Sequence, residues 1–412
     1  MNIWILVLGE PLEIDKGNQR LHRSGMLAKK LISRGHSVTF WTSNIDHFRK
    51  ILRTKITSKI QVEENFKIIQ LAGRQYKKNI SVTRILHNFD VMKEFNLEVK
   101  NEPKPDIIIS NYPIIELSYA AIKYAKNNKI TTVIDVRDFW PDIFYEVLPS
   151  KLNFLGKILF FPWEIMSRYI FKNADFITGI SDEAIIWARM KVQQKFNKNT
   201  DKSFHLAYRN DKNLFIDNSF LSINKIDVKA HDIYCFFGTL SKRIELKTLC
   251  EAAHILESRG KKNIRFVICG NGDMYKYIKS KASMCKTIVA PGWIGKEQIE
   301  TLLKISKAGF LPYPSSLDFV RSYPNKVGEY LSAGLPILSS IDGAMSNLLN
   351  DWNCGITYKN NSPRSLANAI IQLQENKSSY ELMSKNAEKC FFEKFDSETV
   401  YRDYSIFIES KA

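Results

Sequence analysis

Long apolar runs are missing from this sequence. No stretch of about 18 uncharged apolar residues occurs, the length that a membrane-spanning helix needs, and the aromatic-rich segment 152–166 is interrupted by Lys157, Pro162 and Glu164. The apolar start, residues 1–8, has no basic residue and meets Glu10 at once, unlike a secretory signal. We therefore expect no membrane span and interpret residues 1–8 as a first buried strand.

Residue patterns that bind metals or form disulfides are also missing. The six cysteines include no CxxC pair, the seven histidines include no HxxxH pair, and no Asp-x-Asp occurs. The first strand is not followed by GxGxxG, which disfavours a dinucleotide oxidoreductase. We expect reduced and buried thiols, no metal ion and no cofactor.

Negative charge is scarce. The chain has 60 Lys and Arg residues against 43 Asp and Glu, which gives a net charge of +17, and +12 of this falls in residues 1–215. A surface with this excess of positive charge attracts nucleic acid, anionic lipid or a phosphorylated small molecule. No recognised nucleic-acid module occurs, so a basic nucleic-acid-binding protein remains a remote alternative.

Apolar runs alternate with helical patterns along 412 residues, which is too long a chain for one compact core. The apolar runs are continuous, as in strands that are buried on both faces of a parallel sheet. The predicted fold class is α/β, with two doubly wound, Rossmann-like parallel-sheet domains that face a cleft. The predicted parts are an N-terminal domain at 1–205, a C-terminal domain at 206–390, and a last helix within 391–412 that packs back on the first domain.

The individual elements follow from the same patterns. Strands are predicted at 2–8, 37–42, 107–109, 131–136, 174–181, 233–238, 264–270, 286–291 and 308–312. Helices are predicted at 20–34, 114–127, 246–258, 296–306, 325–333, 363–375 and 396–409, and another begins at Ser181. The stretch 197–229 lacks periodicity and is the predicted interdomain linker.

The most specific stretch contains Phe310-Leu-Pro-Tyr-Pro-Ser315 and Tyr323-Pro-Asn-Lys-Val-Gly-Glu-Tyr-Leu-Ser-Ala-Gly-Leu-Pro-Ile337. A carboxylate such as that of Glu329 can accept both hydroxyls of a ribose. A helix that begins after Pro324 offers free N–H groups to phosphate, and Gly334 permits a left-handed cap. This chemistry favours a nucleotide ligand, and the alternative is a surface glutamate on an ordinary helix.

This stretch resembles the donor-binding signature of GT-B-fold glycosyltransferases of family 4, in the branch that builds bacterial surface polysaccharides. The resemblance implies a GT-B fold and a nucleotide-sugar donor whose ribose is held by Glu329. It also implies donor contacts from Ser315, Asn325, Lys326 and Val327.

One position departs from the family pattern. The family often has two glutamates with seven residues between them, whereas the residue eight positions before Glu329 is Arg321. Either Arg321 contacts a charged or deoxy sugar as a donor-binding residue, or Asp318 takes over the missing role, or Arg321 is a solvated loop residue. The sequence leaves these three open.

A second motif, Phe236-Phe-Gly-Thr-Leu-Ser-Lys-Arg243, resembles the family's glycine-containing turn followed by a basic residue that meets the donor diphosphate. The resemblance assigns Gly238 and Thr239 to donor binding. Lys242 and Arg243 become candidate catalytic residues, because a positioned cation stabilises a departing diphosphate. The alternative is a solvated charge pair. Weaker similarities around the nucleobase add Gly270, Asn271, Gly272, Trp293 and Ile294.

In the first half, Val136-Arg-Asp-Phe-Trp-Pro-Asp142 resembles the Arg-Asp-x-Trp-Pro signature of a bacterial branch that acts on lipid-linked saccharides. Arg137 and Asp138 are the candidate catalytic residues here. Asp138 orients the acceptor hydroxyl or acts as a base, or else the two residues form a pair that fixes the loop. The loop with Gly17, Asn18 and Arg20 matches the family's acceptor-side loop.

Basic and aromatic residues are mixed over 151–172. Aromatic rings suit the head-group level of a bilayer and ammonium groups meet lipid phosphate, so this segment is predicted to contact an anionic membrane surface. The same composition also suits a buried helix with a basic edge.

The resemblance covers nearly the whole chain and implies a function. It implies a retaining, metal-independent glycosyltransferase of hexosyl or N-acetylhexosaminyl type. The implied donor is a UDP-sugar and the implied acceptor an undecaprenyl-diphosphate-linked saccharide, in O-antigen, capsule or exopolysaccharide biosynthesis. The expected location is cytoplasmic, peripheral on the inner face of the plasma membrane. A sugar-nucleotide 2-epimerase of the same fold is the alternative.

Overall fold

A computed structural model describes residues 1–16, 20–147, 153–209 and 216–411 of the chain. The predicted acceptor-side residues Gly17 and Asn18 lie outside these ranges, as do the first two residues of 151–172. The chain forms two compact units, one of Met1–His205 with Val400–Ala412 and one of Leu206–Thr399.

The first unit contains an eight-stranded sheet and a separate two-stranded hairpin. Its strands are β1 (Asn2–Leu6), β2 (Ser37–Ser43), β3 (Ile45–Asp46), β4 (Ile51–Leu52), β5 (Ser58–Glu63), β6 (Phe66–Leu71), β7 (Ile107–Tyr112), β8 (Thr131–Val136), β9 (Phe176–Gly179) and β10 (Asp201–Ser203). The sheet order is β10-β9-β8-β7-β1-β2-β6-β5, and every pair is parallel except β5 with β6. The chain leaves β1 toward β2 and returns beyond it at β7, so the topological switch point lies between β1 and β7.

Helices cover the first sheet. They are α1 (Arg23–Ser33), α2 (Val82–Glu98), α3 (Ile115–Asn128), α4 (Asp142–Val147), α5 (Asn153–Asn173) and α6 (Asp182–Met190). The predicted start of α6 is confirmed, because the Ser181 hydroxyl accepts a hydrogen bond from the amide of Ala184 at 3.1 Å. No helix within the described ranges is both long and apolar enough to cross a bilayer.

The second unit is built on a six-stranded sheet. Its strands are β11 (Asp232–Phe237), β12 (Ile264–Cys269), β13 (Ile288–Gly292), β14 (Ser306–Leu311), β15 (Ile337–Ser339) and β16 (Gly355–Thr357). They are all parallel and take the order β13-β12-β11-β14-β15-β16, which is the doubly wound Rossmann order. The predicted α/β class with two Rossmann-like sheets is therefore confirmed.

The helices of the second unit are α7 (Asn218–Ile223), α8 (Leu246–Ser258), α9 (Tyr275–Met284), α10 (Lys296–Ile305), α11 (Leu317–Val320), α12 (Lys326–Ser332), α13 (Ala344–Trp352), α14 (Pro363–Glu375) and α15 (Lys377–Cys390). Most of these helices lie between the strands in sequence, whereas α7 precedes β11 and two helices follow β16. Two apolar cores, one centred on Phe266 and Phe310 and one on Tyr330 and Phe237, hold them to the sheet.

The chain ends in α16 (Ser397–Glu409), after a single π-helical turn at Phe391–Phe395. Val400–Ala412 belongs to the first unit, whereas 391–399 belongs to the second. The reason is packing, because Phe391 and Phe395 are buried in the core of the second unit. The predicted C-terminal part, 391–412, therefore divides at residue 400.

The predicted linker 197–229 is wrong in part. It contains β10, which pairs in parallel with β9, and α7, which begins where the Asp217 carboxylate accepts the amide of Phe220 at 2.9 Å. Three residues of strand are too short to show a period. The same applies to β15 and β16, which the sequence analysis does not predict.

Glycines bring the ends of β11 and β12 into main-chain contact. A Cβ at Gly270 would lie 1.7 Å from the carbonyl oxygen of Gly238, and one at Gly272 would lie 2.4 Å from that of Leu240. Both glycines have a positive φ, +139° and +151°, and the amide of Leu240 donates to the carbonyl of Asn271 at 2.9 Å. Only glycine fits here, so these residues shape the loop after β11.

We expect Gly270→Ala to lower the free energy of unfolding by about 3 kcal/mol, because both the backbone conformation and the space exclude a side chain. Urea denaturation followed by circular dichroism measures this loss. The matched control is Gly260→Ala, at a φ of +74° with no atom within 4 Å of the new Cβ, which costs about 1 kcal/mol. Equal losses in the two variants would contradict the close main-chain contact between the ends of β11 and β12.

Candidate functional site

In the second unit, the switch point of the sheet lies between β11 and β14. Ligands of doubly wound sheets bind at the carboxyl ends of the strands that flank this point. Gly238 directly follows β11, and Tyr313 follows β14 by two residues. Both predicted donor motifs therefore come together at the edge where a ligand is expected.

A lysine ammonium occupies this edge. Lys326 Nζ lies 2.6 Å from the position that a Cβ of Gly238 would take, and it donates to the Tyr313 hydroxyl at 3.2 Å. It is also 5.3 Å from the centroid of the Phe236 ring. Within the described residues no carboxylate forms a salt bridge with it. Because Gly238 has no side chain, the ammonium of Lys326 fits at the switch point.

Glu329 lies on the same helix, α12, three residues after Lys326. Residues three apart share a face of a helix, so this carboxylate and the ammonium of Lys326 lie on one side of α12. The side chain of Glu329 is half-buried. An acceptor for hydroxyls and a cation for phosphate are therefore neighbours, as the resemblance implies.

The two predicted diphosphate cations are less well placed. Lys242 is exposed, and Arg243 is exposed and forms a salt bridge with Asp318 at 3.0 Å. The guanidinium of Arg243 also lies 5.8 Å from the ring centroid of Phe319. This pairing removes Asp318 as a free carboxylate and engages Arg243 in the loop before α12. Arg321, in the same loop, is half-buried.

The remaining predicted donor residues divide into two groups. Thr239, Asn271, Trp293, Ser315 and Asn325 are exposed. Trp293 has 73% of its surface accessible, which leaves its ring available for a ligand. Val327 is fully buried and Ile294 packs against the same core, so their side chains stabilise the unit and only their main chains remain for a ligand.

In the first unit, a buried network of charges lies at the carboxyl end of β8. The carboxylate of Asp135, which is 1% exposed, accepts two hydrogen bonds from Arg23 at 2.9 Å and one from Arg137 Nε at 2.7 Å. Arg137 also donates to Glu10 and, at 2.7 Å, to the hydroxyl of Ser24. The guanidinium of Arg137 is therefore fixed between two carboxylates.

Glu10 fills the start of α1. Its carboxylate accepts the amides of Ser24 at 3.0 Å and Gly25 at 3.3 Å, in the first turn of that helix. These N–H groups and the positive end of the helix dipole would otherwise suit a phosphate. Because a carboxylate already occupies them, α1 does not offer this position to an anionic substrate.

Asp138 follows the network and is half-buried, and its Oδ1 accepts the amide of Phe139 at 2.8 Å. The predicted Arg137–Asp138 pair is therefore not the contact that fixes the loop, since Arg137 binds Asp135 and Glu10 instead. Arg20 is exposed. Partial burial lowers the pKa of the nearby His22 imidazole, and the charges of Arg20 and Arg137 lower it further, whereas Glu10 opposes the shift.

Sequence reasoning missed Glu10, Asp135 and Arg23. A signal was available, because a charged residue inside a strand that is buried on both faces needs a charged partner. Asp135 lies in such a strand. Its partners could not be identified, since Arg23 is 112 residues away in the chain.

Comparisons with known proteins agree with this architecture. Residues 222–390 match the model of the family described as glycosyl transferases group 1. An uncharacterized glycosyltransferase of Methanocaldococcus jannaschii is 25% identical over 272 residues, which cover 62% of this chain and 64% of that protein. The chain thus spans slightly less than two thirds of that relative's length.

Solved structures extend the similarity to nearly the whole chain. Sucrose-phosphate synthase from Thermosynechococcus elongatus matches with a TM-score of 0.69 and 14% identity, over 99% of this chain and 98% of that one. Anabaena HepE in complex with UDP matches with a TM-score of 0.63 and 12% identity, over 99% of each chain. The fold is therefore GT-B, as predicted, and the part that is similar to glycosyl transferases group 1, residues 222–390, lies within the second unit.

We expect Asp135→Asn to destabilise the protein by about 3–5 kcal/mol at pH 7, because it leaves two buried guanidiniums with one carboxylate fewer. The two arginines hold the pKa of Asp135 well below its usual range against the opposing effect of burial. A lowered pKa stabilises the fold above the ordinary carboxyl pKa of about 4, and that stability is lost as the pH falls toward the folded pKa.

Urea denaturation at pH 7 and pH 3 tests this prediction. The wild type should lose more stability between the two pH values than Asp135→Asn does. The control is Asp90→Asn, which removes the exposed salt bridge with Arg74 and costs at most about 1 kcal/mol. A loss in Asp135→Asn no larger than in this control would contradict the structural importance of the network.

Proposed function

We propose that this protein is a retaining glycosyltransferase that moves a sugar from a UDP-sugar to a lipid-linked saccharide. The observation that carries the proposal is the ammonium of Lys326, which lies over Gly238 at the switch point of the second sheet. Both residues lie within the region that matches the glycosyl transferases group 1 model.

Lys326 is the proposed principal contact of the donor diphosphate, and Lys242, four residues after Gly238, is a proposed second cation. In the proposed reaction the bond from the anomeric carbon to the diphosphate oxygen breaks and the acceptor oxygen bonds to that carbon on the same face. The acceptor proton leaves with the diphosphate. Because negative charge develops on the diphosphate as the bond breaks, a fixed cation stabilises the transition state more than the ground state. This step needs no metal ion, and no cluster of three metal-binding side chains occurs in the described part of the chain.

Glu329 is proposed to hold the ribose hydroxyls, and Trp293 the uracil ring. HepE, a structural neighbour, is solved with UDP, which supports UDP as the nucleotide. Arg321 is proposed to face the transferred sugar, a hexose or N-acetylhexosamine, in place of the family's first glutamate. For the acceptor, Asp138 is the proposed contact of the attacking hydroxyl. Arg137 becomes a positioning residue, because its guanidinium is already bound by Asp135 and Glu10.

The proposed setting is the cytoplasmic face of the plasma membrane, with an undecaprenyl-diphosphate-linked saccharide as acceptor in surface polysaccharide synthesis. Support comes from the first half of α5, which exposes five large apolar side chains to solvent: Phe154, Leu155, Ile158, Leu159 and Phe161. An exposed apolar face with Lys157 beside it and a basic unit behind it suits an anionic bilayer surface.

A thermal-shift screen against UDP, GDP, ADP, CMP and dTDP tests the donor site, because a ligand that binds the folded state raises the melting temperature. We expect UDP alone to stabilise the wild type. Lys326→Met should weaken UDP binding by about 10- to 100-fold, the loss of a charge-assisted hydrogen bond. Lys385→Met, the same change at an exposed position of α15, should leave it unchanged.

No shift with any nucleotide would overturn the proposed function. Equal UDP binding by Lys326→Met and the wild type would overturn the role of Lys326. Conversion of a UDP-sugar to its 2-epimer without an acceptor would identify the epimerase instead.

The membrane contact has its own test. We expect the double variant Phe154→Glu with Ile158→Glu to bind vesicles that contain phosphatidylglycerol at least about tenfold more weakly in a sedimentation assay, since two apolar side chains no longer enter the bilayer. Ile223 is 78% exposed in the second unit, so Ile223→Glu is the control and should bind like the wild type. Undiminished binding of the double variant would remove α5 from the membrane contact.

A further inference from the structure

An apolar cavity of about 330 Å³ lies in the first unit between α2, α3 and α5. Its walls include Ile85 from α2, Pro113 from the loop after β7, and the aromatic rings of Trp140, Phe160 and Trp163. The sugar-transfer reaction described above does not use this cavity. Its volume and lining are those of a site for one apolar chain rather than for a saccharide.

The cavity opens to solvent through an apolar rim. Ile80, Val82 and Leu159 line it and are 81%, 71% and 64% exposed. Leu159 also belongs to the exposed face of α5, so the rim continues into the surface proposed to meet the membrane. The exposed apolar surface of α5 is therefore continuous with the entrance of the cavity.

A glutamate closes the inner wall without offering a free charge. Glu116 is 2% exposed, and its carboxyl accepts hydrogen bonds from Trp163 Nε1 at 2.7 Å and from the side-chain amide of Asn88 at 3.2 Å. It thus ties α3 to α5 and α2, the helices around the cavity. Burial raises the pKa of Glu116, which favours its neutral form in an apolar wall.

Two cations lie at one end of the cavity. The guanidinium of Arg84, a lining residue, is 5.2 Å from the ring centroid of Trp140 and 6.0 Å from that of Tyr76. The ammonium of Lys50, which lies outside the lining, is 5.2 Å from the same Tyr76 ring and donates to the side-chain oxygen of Asn79, a lining residue. Within the described residues neither cation forms a salt bridge with a carboxylate. The positive charge of this pair is therefore available to an anion.

The histidines beside these cations add no positive charge at neutral pH. Burial, together with Lys50 and Arg84, lowers the pKa of His47 to about 4, and burial lowers that of His87 to about 4. Asp46 and Asp90 oppose these shifts. The carboxylate of Asp90 is bound by Arg74 at 2.6 Å and that of Asp46 by the amide of Phe48 at 2.9 Å.

The cavity also adjoins the proposed acceptor loop. Trp140 and Pro141 line it, and Trp140 follows Asp138 by two residues. Pro113 follows β7 and Arg137 follows β8, so both approach from the carboxyl edge of the first sheet. The cavity and the proposed acceptor contact therefore lie at the same edge of one unit.

We propose that this cavity binds the hydrocarbon segment next to the phosphate of the lipid-linked acceptor, with Arg84 and Lys50 against the phosphate. An apolar chain and an adjoining anion match an apolar cavity beside two cations that form no salt bridge within the described residues. The proposal rests on the proposed function, since it names the part of the acceptor that is recognised. It assigns Trp140 and Pro141 of the Arg-Asp-x-Trp-Pro motif to the lipid and Asp138 to the sugar.

The test is the binding of farnesyl phosphate to the whole protein, measured by titration calorimetry below the micelle concentration and without vesicles. We expect the wild type to bind it, and to bind farnesol at least tenfold more weakly and inorganic phosphate not measurably. Ile85→Trp fills the cavity and should weaken farnesyl phosphate at least tenfold. Leu86→Trp places the same ring at the next position of α2, outside the cavity lining, and should bind like the wild type.

Two further variants keep the test decisive if Ile85→Trp unfolds. Ile80→Glu puts a negative charge on the exposed rim and should weaken binding tenfold, whereas Ile56→Glu, at a position that is 72% exposed outside the cavity, should not. Arg84→Met should reduce the affinity for farnesyl phosphate to that for farnesol. Undiminished binding in Ile80→Glu and Ile85→Trp overturns the cavity site, and undiminished binding in Arg84→Met overturns the phosphate contact.

The same protein samples separate this proposal from the proposed function. Variants that lose farnesyl phosphate should keep the thermal shift with UDP, because the donor contacts lie in the second unit. A wild type that responds to UDP but binds no farnesyl phosphate overturns the lipid site alone. Tighter binding of dodecyl phosphate than of farnesyl phosphate overturns the acceptor assignment in favour of a straight-chain phospholipid.

Discussion

The first unit depends on one buried carboxylate. Asp135 binds two guanidiniums, and through them it joins β8 to α1 and to Glu10. The Thr178 hydroxyl lies 3.0 Å from Asp135 and 2.7 Å from the hydroxyl of Tyr404 on α16. Burying charges is costly unless all are paired, so the positions of the helix start, the acceptor loop and the C-terminal helix are determined together. Removing one of the charged side chains therefore leaves its charged partners unpaired in a buried site.

In the second unit, glycines determine the geometry in a comparable way, because they have no side chains. Gly270 and Gly272 let the end of β12 cross the loop after β11, and Gly238 leaves the space in which Lys326 lies. Within the described residues, the ammonium of Lys326 at the end of this strand has weak contacts, with a hydroxyl and two ring faces. Under the proposed function, this ammonium exchanges these weak contacts for a stronger one with the donor diphosphate.

These two arrangements explain how far the sequence could be interpreted. Strands such as β1 and β11 are predictable because each is an almost continuous apolar run, and α12 is predictable from Pro324 and Gly334 around it. The contact of Lys326 with Gly238 joins residues 88 positions apart, and Glu10 is 127 residues from Arg137. Local patterns do not contain such distances. Short strands such as β10, and the position of the Lys326 ammonium beside Gly238, could be obtained only from the folded chain.

The Arg-Asp-x-Trp-Pro segment contacts several parts of the first unit within one short loop. Arg137 belongs to the charge network, Asp138 lies at the carboxyl edge of the sheet, and Trp140 and Pro141 form part of the wall of the apolar cavity. Three environments, a buried ionic one, a half-buried polar one and an apolar one, are reached within five residues of one loop. Because the network fixes Arg137 rigidly, the loop that follows it has few ways to place Asp138 and Trp140. Under the proposed function, Arg137 thereby also sets the distance between the sugar hydroxyl and the lipid chain of the acceptor.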